Sequence, residues 1–301
     1  MKSPLTSIRI WAEMVKLSHS VFALPFALTA TFLAGRSIEG RGLPYGGQLV
    51  LIVLCMVAAR SVAMTFNRIV DAEIDARNPR TAGRPLPARK LSRIAAYAML
   101  VLAAITFGVG CLGFHVFYRN TWPILFSGPV LTYLCGYSFT KRFTRWSHFY
   151  LGSSIALSPV AAWLAIHPAT LGLPAFLLML VVTCWIAGFD IIYACQDIDI
   201  DRREGLFSLP AKLGVAKALW IARASHLLAV AGLIMLGISA QLGSIYAFGV
   251  VLAVALLIVE NILVRPTDLR RANLAFTLNG GVSILLAAAA IADVLISAPR
   301  P

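Results

Sequence analysis

The chain has 301 residues, 59% of them hydrophobic and only 13% charged, where an ordinary soluble protein carries about 25% charged residues. Lysine and arginine number 26 against 13 aspartates and glutamates, a formal net charge of +13. These figures exclude a soluble globular enzyme, a disordered chain and a secreted disulfide scaffold, set nucleic acid aside as a partner, and point to an all-α polytopic membrane protein.

Residues 4–18 read as an interfacial amphipathic helix, with Ile8, Trp11 and Val15 on one face and Arg9, Glu13 and Lys16 elsewhere. No cleavable signal peptide is expected, because a basic start, a short apolar run and a small-residue cleavage site do not follow in order. Nine stretches then approach the ~20 apolar residues that cross a bilayer: 20–36, 48–66, 94–114, 122–139, 149–166, 171–192, 218–239, 244–263 and 273–296. Backbone in lipid must satisfy its own hydrogen bonds and the alternation of a barrel strand is absent, so these are helices. One membrane domain is expected over 1–301, with residues 1–18 as its N-terminal surface helix.

Arginine and lysine set the orientation. One set of loops holds Arg68, Arg77, Arg80, Arg84, Arg89, Lys90 and Arg93, then Lys141, Arg142 and Arg145. It continues with Arg202, Arg203, Lys212, Lys217 and Arg223, and then Arg265, Arg270 and Arg271. The opposite loops hold Arg36, Arg41 and Arg119. The basic side is cytoplasmic and includes the N-terminus (Lys2, Arg9, Lys16), as expected in a bacterial-type inner membrane; nine spans leave the C-terminus outside. Cys55, Cys111, Cys135, Cys184 and Cys195 lie in spans without a CxxC pair and read as packing residues. His19, His115, His148, His167 and His226 show no metal-ligand spacing and read mainly as interfacial.

The thirteen carboxylates carry more information. Asp71, Glu73 and Asp75 end the second span, while Asp190, Asp197, Asp199 and Asp201 end the sixth, with Glu204 just beyond. A carboxylate at membrane depth costs about 2.5–3.5 kcal/mol, so two such clusters on one side of the membrane mark a functional site. Arg60, Asn67, Asp71 and Asp75 are spaced to share a helix face, as are Asp190, Asp197 and Asp201; Glu73 and Asp199 point away. Two facing helices would thus present two carboxylate pairs to a shared cavity, and that repulsion calls for cations. Oxygen donors without histidine or cysteine favour Mg²⁺, which combines one or two carboxylates with phosphate oxygens and water. Arg80 and Arg84 follow the first cluster, and Lys141 and Arg142 end the fourth span with Tyr137 one turn earlier. Arginine offers planar bidentate contacts to phosphate and lysine a mobile point charge. A metal–diphosphate site follows.

The run Asn67-Arg-Ile-Val-Asp71-Ala-Glu-Ile-Asp75, trailed by NPRTAGRPLP (78–87), resembles the first signature of the UbiA superfamily of intramembrane aromatic prenyltransferases. GFDIIYACQDIDIDRREGLFSLPAKLG (188–214) resembles the second, and YSFTKRFT (137–144) is similar to the element between them. The resemblance spans nearly the whole chain, in the family's order and spacing. It implies nine helices around a central cavity, Mg²⁺ as cofactor, and a polyprenyl diphosphate and an aromatic acid as substrates. Asn67, Asp71 and Asp75 would hold one Mg²⁺, and Asp197 and Asp201 the other. Asp190, deeper in the cavity, would orient the acceptor or take its ring proton. Arg60, Arg80, Arg84, Tyr137, Lys141 and Arg142 would contact the diphosphate or close over it, and the prenyl tail would leave sideways into lipid.

One departure bears on the acceptor. Members specific for 4-hydroxybenzoate often carry a basic D-K-P-x-G-like element entering the first span, where this chain reads KLSHSVFALPFALTA (16–30). The whole resembles a 4-hydroxybenzoate polyprenyltransferase-like subgroup. It is also similar to prenyltransferases of the futalosine menaquinone route, whose acceptor is a dihydroxynaphthoate. His19 is a candidate for acceptor recognition. Among other classes, a CDP-alcohol phosphatidyltransferase lacks its glycine-spaced aspartate run here. A cation- or proton-coupled transporter would place its acids nearer mid-span, on broken helices.

Overall fold

The computed structural model describes residues 4–15, 22–38, 42–266, 269 and 271–297. His19 therefore lies outside the described residues, as do Lys2, Lys16, Glu39, Arg41, Asp268 and Arg270. In chain order the helices are α1 (Pro4–Val15), α2 (Leu24–Arg36), α3 (Gly46–Val70), α4 (Ala72–Arg77), α5 (Arg93–Tyr118), α6 (Trp122–Thr140) and α7 (Ser147–Ile166). They continue with α8 (Leu173–Ala194), α9 (Ile198–Arg203), α10 (Leu209–Leu213), α11 (Val215–Ser239), α12 (Ser244–Leu263) and α13 (Ala272–Ser297).

Each of the nine predicted stretches coincides with a helix: α2, α3, α5 to α8 and α11 to α13. Seven of these are long and apolar enough to cross a membrane, all but α2 and α6. The reasons are local: α2 has 13 residues, and α6 carries Pro129 inside a run diluted by Ser, Thr and Gly. The chain divides into two compact units, residues 1–20 with 53–139, and residues 21–52 with 140–301.

In the first unit, α1 does more than lie at an interface. Ile10, Trp11 and Met14 pack with Ile69, Ala72, Leu86, Leu91, Ala95 and Ala96, and the Trp11 indole Nε1 donates to Thr65 Oγ1 at 2.8 Å. Of the expected apolar face, Trp11 and Val15 turn inward together with Met14, while Ile8 is 53% exposed. A second cluster, Ala58, Phe107 and Cys111 with Cys55, Ile124 and Leu131, ties together α3, α5 and α6.

In the second unit α8 packs against both α7 and α11, while α12 pairs with α13 and α2 lies on α7 and α13. Gly152 sets the α7–α8 distance, because a Cβ there would stand 2.3 Å from the Thr183 carbonyl oxygen. Two turns of α8 carry an aromatic cluster, in which Trp185 and Phe189 are 5.3 Å apart between ring centroids and Phe22 lies 5.2 Å from Phe189. The five cysteines are free, as expected.

Candidate active site

The first unit carries one carboxylate group where α3 passes into α4. The helix breaks at Asp71 (φ −91°, ψ 2°). Backbone bonds from Asp71 N to Asn67 O (2.9 Å) and from Asp75 N to Asp71 O (2.8 Å) nevertheless carry the helical spacing across. Asn67, Asp71 and Asp75 therefore stack on successive turns, Asp71 2% and Asp75 5% exposed. Asn67 Nδ2 donates to Asp71 Oδ2 at 2.9 Å. Nη1 of Arg84 donates to both oxygens of Asp75 at 2.7 Å.

The segment bearing Arg84 is held rigidly. Asn78 accepts the Arg80 N–H at its side chain, and the Thr81 hydroxyl donates to the Asp75 carbonyl at 2.9 Å. Leu86 and Leu91 anchor the rest of the loop in the α1 cluster. Glu73 points outward to an exposed ion pair with Arg93 at 3.5 Å, as its helical position predicts.

The donors of this group, the Asn67 amide and two buried carboxylates, are all oxygens. That is the set a hard cation takes when phosphate and water complete its sphere. Asp75 already carries a guanidinium on both oxygens, the arrangement of an ionised carboxylate compensated by positive charge. The residues fit Mg²⁺.

The second unit carries the other group at the end of α8. A short 3₁₀ turn over Cys195–Asp197 separates α8 from α9, so Asp190 lies on α8, Asp197 ends the turn and Asp201 lies on α9. Asp201 is half-buried with Ser208, Asp197, Lys141 and His148 as its electrostatic neighbours; Asp199 is exposed. The segment 205–210 is stitched to the rest of this site. Leu206 N donates to the Asp201 carbonyl (2.8 Å) and Phe207 N to the Lys141 carbonyl (2.7 Å). The Lys212 ammonium sits 3.9 Å over the Phe207 ring, and Leu209 is fully buried against Ile191, Ile192 and Ala218.

Of the other expected residues, Arg60 and Tyr137 are half-buried in the first unit, where Arg80 is exposed; Lys141 is half-buried and Arg142 exposed in the second. Two side chains in contact with the expected site residues carried no sequence signal. Arg68 counted among the basic loop residues, yet its side chain is only 11% exposed, 3.9 Å from Asp75, and its Nη1 donates to Asn67 Oδ1 at 3.1 Å. His148, grouped with the interfacial histidines, is 4% exposed and pairs through Nδ1 with Asp190 Oδ2 at 2.7 Å.

Comparison with known proteins gives the class. The family model described as "UbiA prenyltransferase family" matches residues 23–289. A 4-hydroxybenzoate octaprenyltransferase of Aliivibrio fischeri is 29% identical over 269 residues, 89% of this chain and 90% of the relative. One of Vibrio cholerae is 30% identical over 260 residues, 85% of this chain and 88% of the relative. The apo structure of a UbiA homolog from Aeropyrum pernix K1 superposes with a TM-score of 0.81 at 30% identity, covering 92% of this chain and 98% of that one. A UbiA homolog from Archaeoglobus fulgidus, solved bound to GPP and Mg²⁺, shares the fold with a TM-score of 0.71 at 16% identity, covering 95% and 99%.

The chain belongs to the UbiA prenyltransferase family. It is an integral membrane protein and an enzyme of prenyl transfer.

Proposed function

We propose that this protein transfers a polyprenyl group from an allylic diphosphate to an aromatic acid, 4-hydroxybenzoate, in an Mg²⁺-dependent reaction of quinone biosynthesis. The observation that carries the reading is the Asn67–Asp71–Asp75 stack, its two carboxylates buried and Arg84 paired with Asp75, in a family of prenyltransferases. The relatives named as 4-hydroxybenzoate octaprenyltransferases support the acceptor. The basic loops support placing both carboxylate groups on the cytoplasmic side.

Asn67, Asp71 and Asp75 would hold one Mg²⁺ and Asp197 and Asp201 the other, and the ions would supply positive charge against the diphosphate. Arg60, Arg80, Arg84, Tyr137, Lys141 and Arg142 bind diphosphate oxygens and stabilise the charge that builds as the C–O bond breaks and its electron pair leaves. Apolar spans keep water from the allylic cation. The electron-rich acceptor ring forms the new C–C bond, and Asp190 takes the proton the ring gives up as it regains aromaticity.

The test is an assay of the purified protein with an allylic diphosphate, Mg²⁺ and, separately, 4-hydroxybenzoate and a dihydroxynaphthoate, read by product mass. Prenylated 4-hydroxybenzoate is the expected product. Product from the dihydroxynaphthoate alone would move the acceptor to the menaquinone route, and no product from either would sink the reading.

A further inference from the structure

His148 sits at the start of α7 in a place no hydropathy pattern marks, and both its ring nitrogens are engaged. Nδ1 is 2.7 Å from Asp190 Oδ2. Nε2 accepts the backbone N–H of Leu209 at 3.3 Å. A backbone N–H can only donate, so Nε2 carries the lone pair and the ring proton belongs on Nδ1, where it is donated to Asp190. Leu209 N–H is itself one of the first N–H groups of α10, which no bond within that helix can satisfy.

The elements that make this contact are fixed independently. Gly152, one turn beyond His148, lets α7 approach the α8 backbone at Thr183. Leu209 is fully buried in the cluster beneath α8 and α11, and Ser208 caps α10 by accepting the Ala211 N–H at 3.3 Å. Asp190 keeps 23% of its side chain accessible while His148 keeps 5%. The carboxylate thus faces outward from a buried donor. Asp201 is a further electrostatic neighbour of His148, and Asp197 and Lys141 lie beside Asp201.

We propose that His148 is a positioning residue for the aromatic acceptor. It acts as an Nδ1–H donor, oriented by the Leu209 N–H on its other ring nitrogen, and holds the Asp190 side chain toward the acceptor ring. The segment 205–210 has a matching role. It touches the Lys141 carbonyl through Phe207 and Asp190 through Leu209 and His148, so it aligns the phosphate-binding lysine's backbone and the acceptor-facing carboxylate together. The inference rests on the aromatic prenyl transfer proposed above.

The decisive comparison uses three variants. Asparagine places its amide where Nδ1 stands, glutamine where Nε2 stands, and phenylalanine fills the volume with neither. His148→Phe is expected to lower kcat for prenylation of the aromatic acid about 10- to 100-fold, as for removal of a group that orients an active carboxylate. The KM for the allylic diphosphate, and binding of an unreactive allylic thiodiphosphate, should stay within about twofold. His148→Asn should recover most of the lost kcat and His148→Gln should not. Wild-type kcat in the Phe variant would overturn the proposal, as would equal losses in Asn and Gln variants or a parallel loss of diphosphate binding. If Phe lowers the unfolding temperature in detergent, the Asn–Gln pair decides, because the two differ chiefly in which ring nitrogen they replace. A wild type that prenylates no aromatic acid defeats the underlying reading instead, a result distinct from an active wild type indifferent to His148.

Discussion

Asp75 shares a guanidinium nitrogen of Arg84 between its two oxygens at 2.7 Å, with Arg68 3.9 Å from Oδ2. Under the proposed reading, Mg²⁺ held by Asp75 would compete with Arg84 for that carboxylate and free the guanidinium for phosphate. Arg84→Ala is therefore expected to raise the KM for the allylic diphosphate about 10-fold and leave the KM for the acceptor unchanged in steady-state kinetics. Arg84→Lys should fall short of full recovery, because an ammonium lacks the planar fork. At this scale the acids were readable because so few exist and each is costly in a bilayer. Arg68 was not readable, since a basic residue at a helix end is also the ordinary topology signal. Nor was His148, whose partners are a carboxylate 42 residues away and a backbone N–H 61 residues away, a pairing with no local period.

The helices carry the next level of specification. Hydropathy sets the second span at 48–66 and the fifth at 149–166, whereas the helices run Gly46–Val70 and Ser147–Ile166. The missing turns are the ones that hold Asn67, Arg68 and His148, because an apolar window stops where functional polar residues begin. Close helix approach was equally hidden, since a lone glycine in an apolar run gives no sign of what it faces. Gly152→Ala would set a Cβ 2.3 Å from the Thr183 carbonyl oxygen and must push α7 off α8. A loss of about 1–3 kcal/mol is expected, seen as a lower unfolding temperature in detergent, together with reduced acceptor turnover. An unchanged unfolding temperature would mean that α7 and α8 are not in this contact. Glu260 on α12 presents the opposite case. It is 1% exposed, both carboxyl oxygens lack a well-formed hydrogen bond, and Asn279 on α13 is its polar neighbour. Glu260→Gln removes a buried ionisable group at nearly constant shape, so it should hold or raise the unfolding temperature, and Glu260→Lys should lower it.

For the molecule as a whole, composition alone identified a helical membrane protein, and each of the nine apolar stretches falls on a helix among the described residues, seven of them long and apolar enough to cross a membrane. The charge asymmetry adds a topology. Glu204→Cys, in the loop beside the second carboxylate group, should react with a membrane-impermeant thiol reagent only in inverted membrane vesicles, and Thr121→Cys only in intact spheroplasts. The reverse pattern would invert the orientation. The most direct measurement on the proposed chemistry is prenyl transfer by the purified protein with and without Mg²⁺, for the wild type and for Asp71→Asn and Asp197→Asn. The proposed role of both carboxylate groups in holding Mg²⁺ predicts activity that chelation abolishes and Mg²⁺ restores, with each variant reduced on the order of 100-fold or more. Full activity in either variant, or turnover that survives chelation, would contradict it.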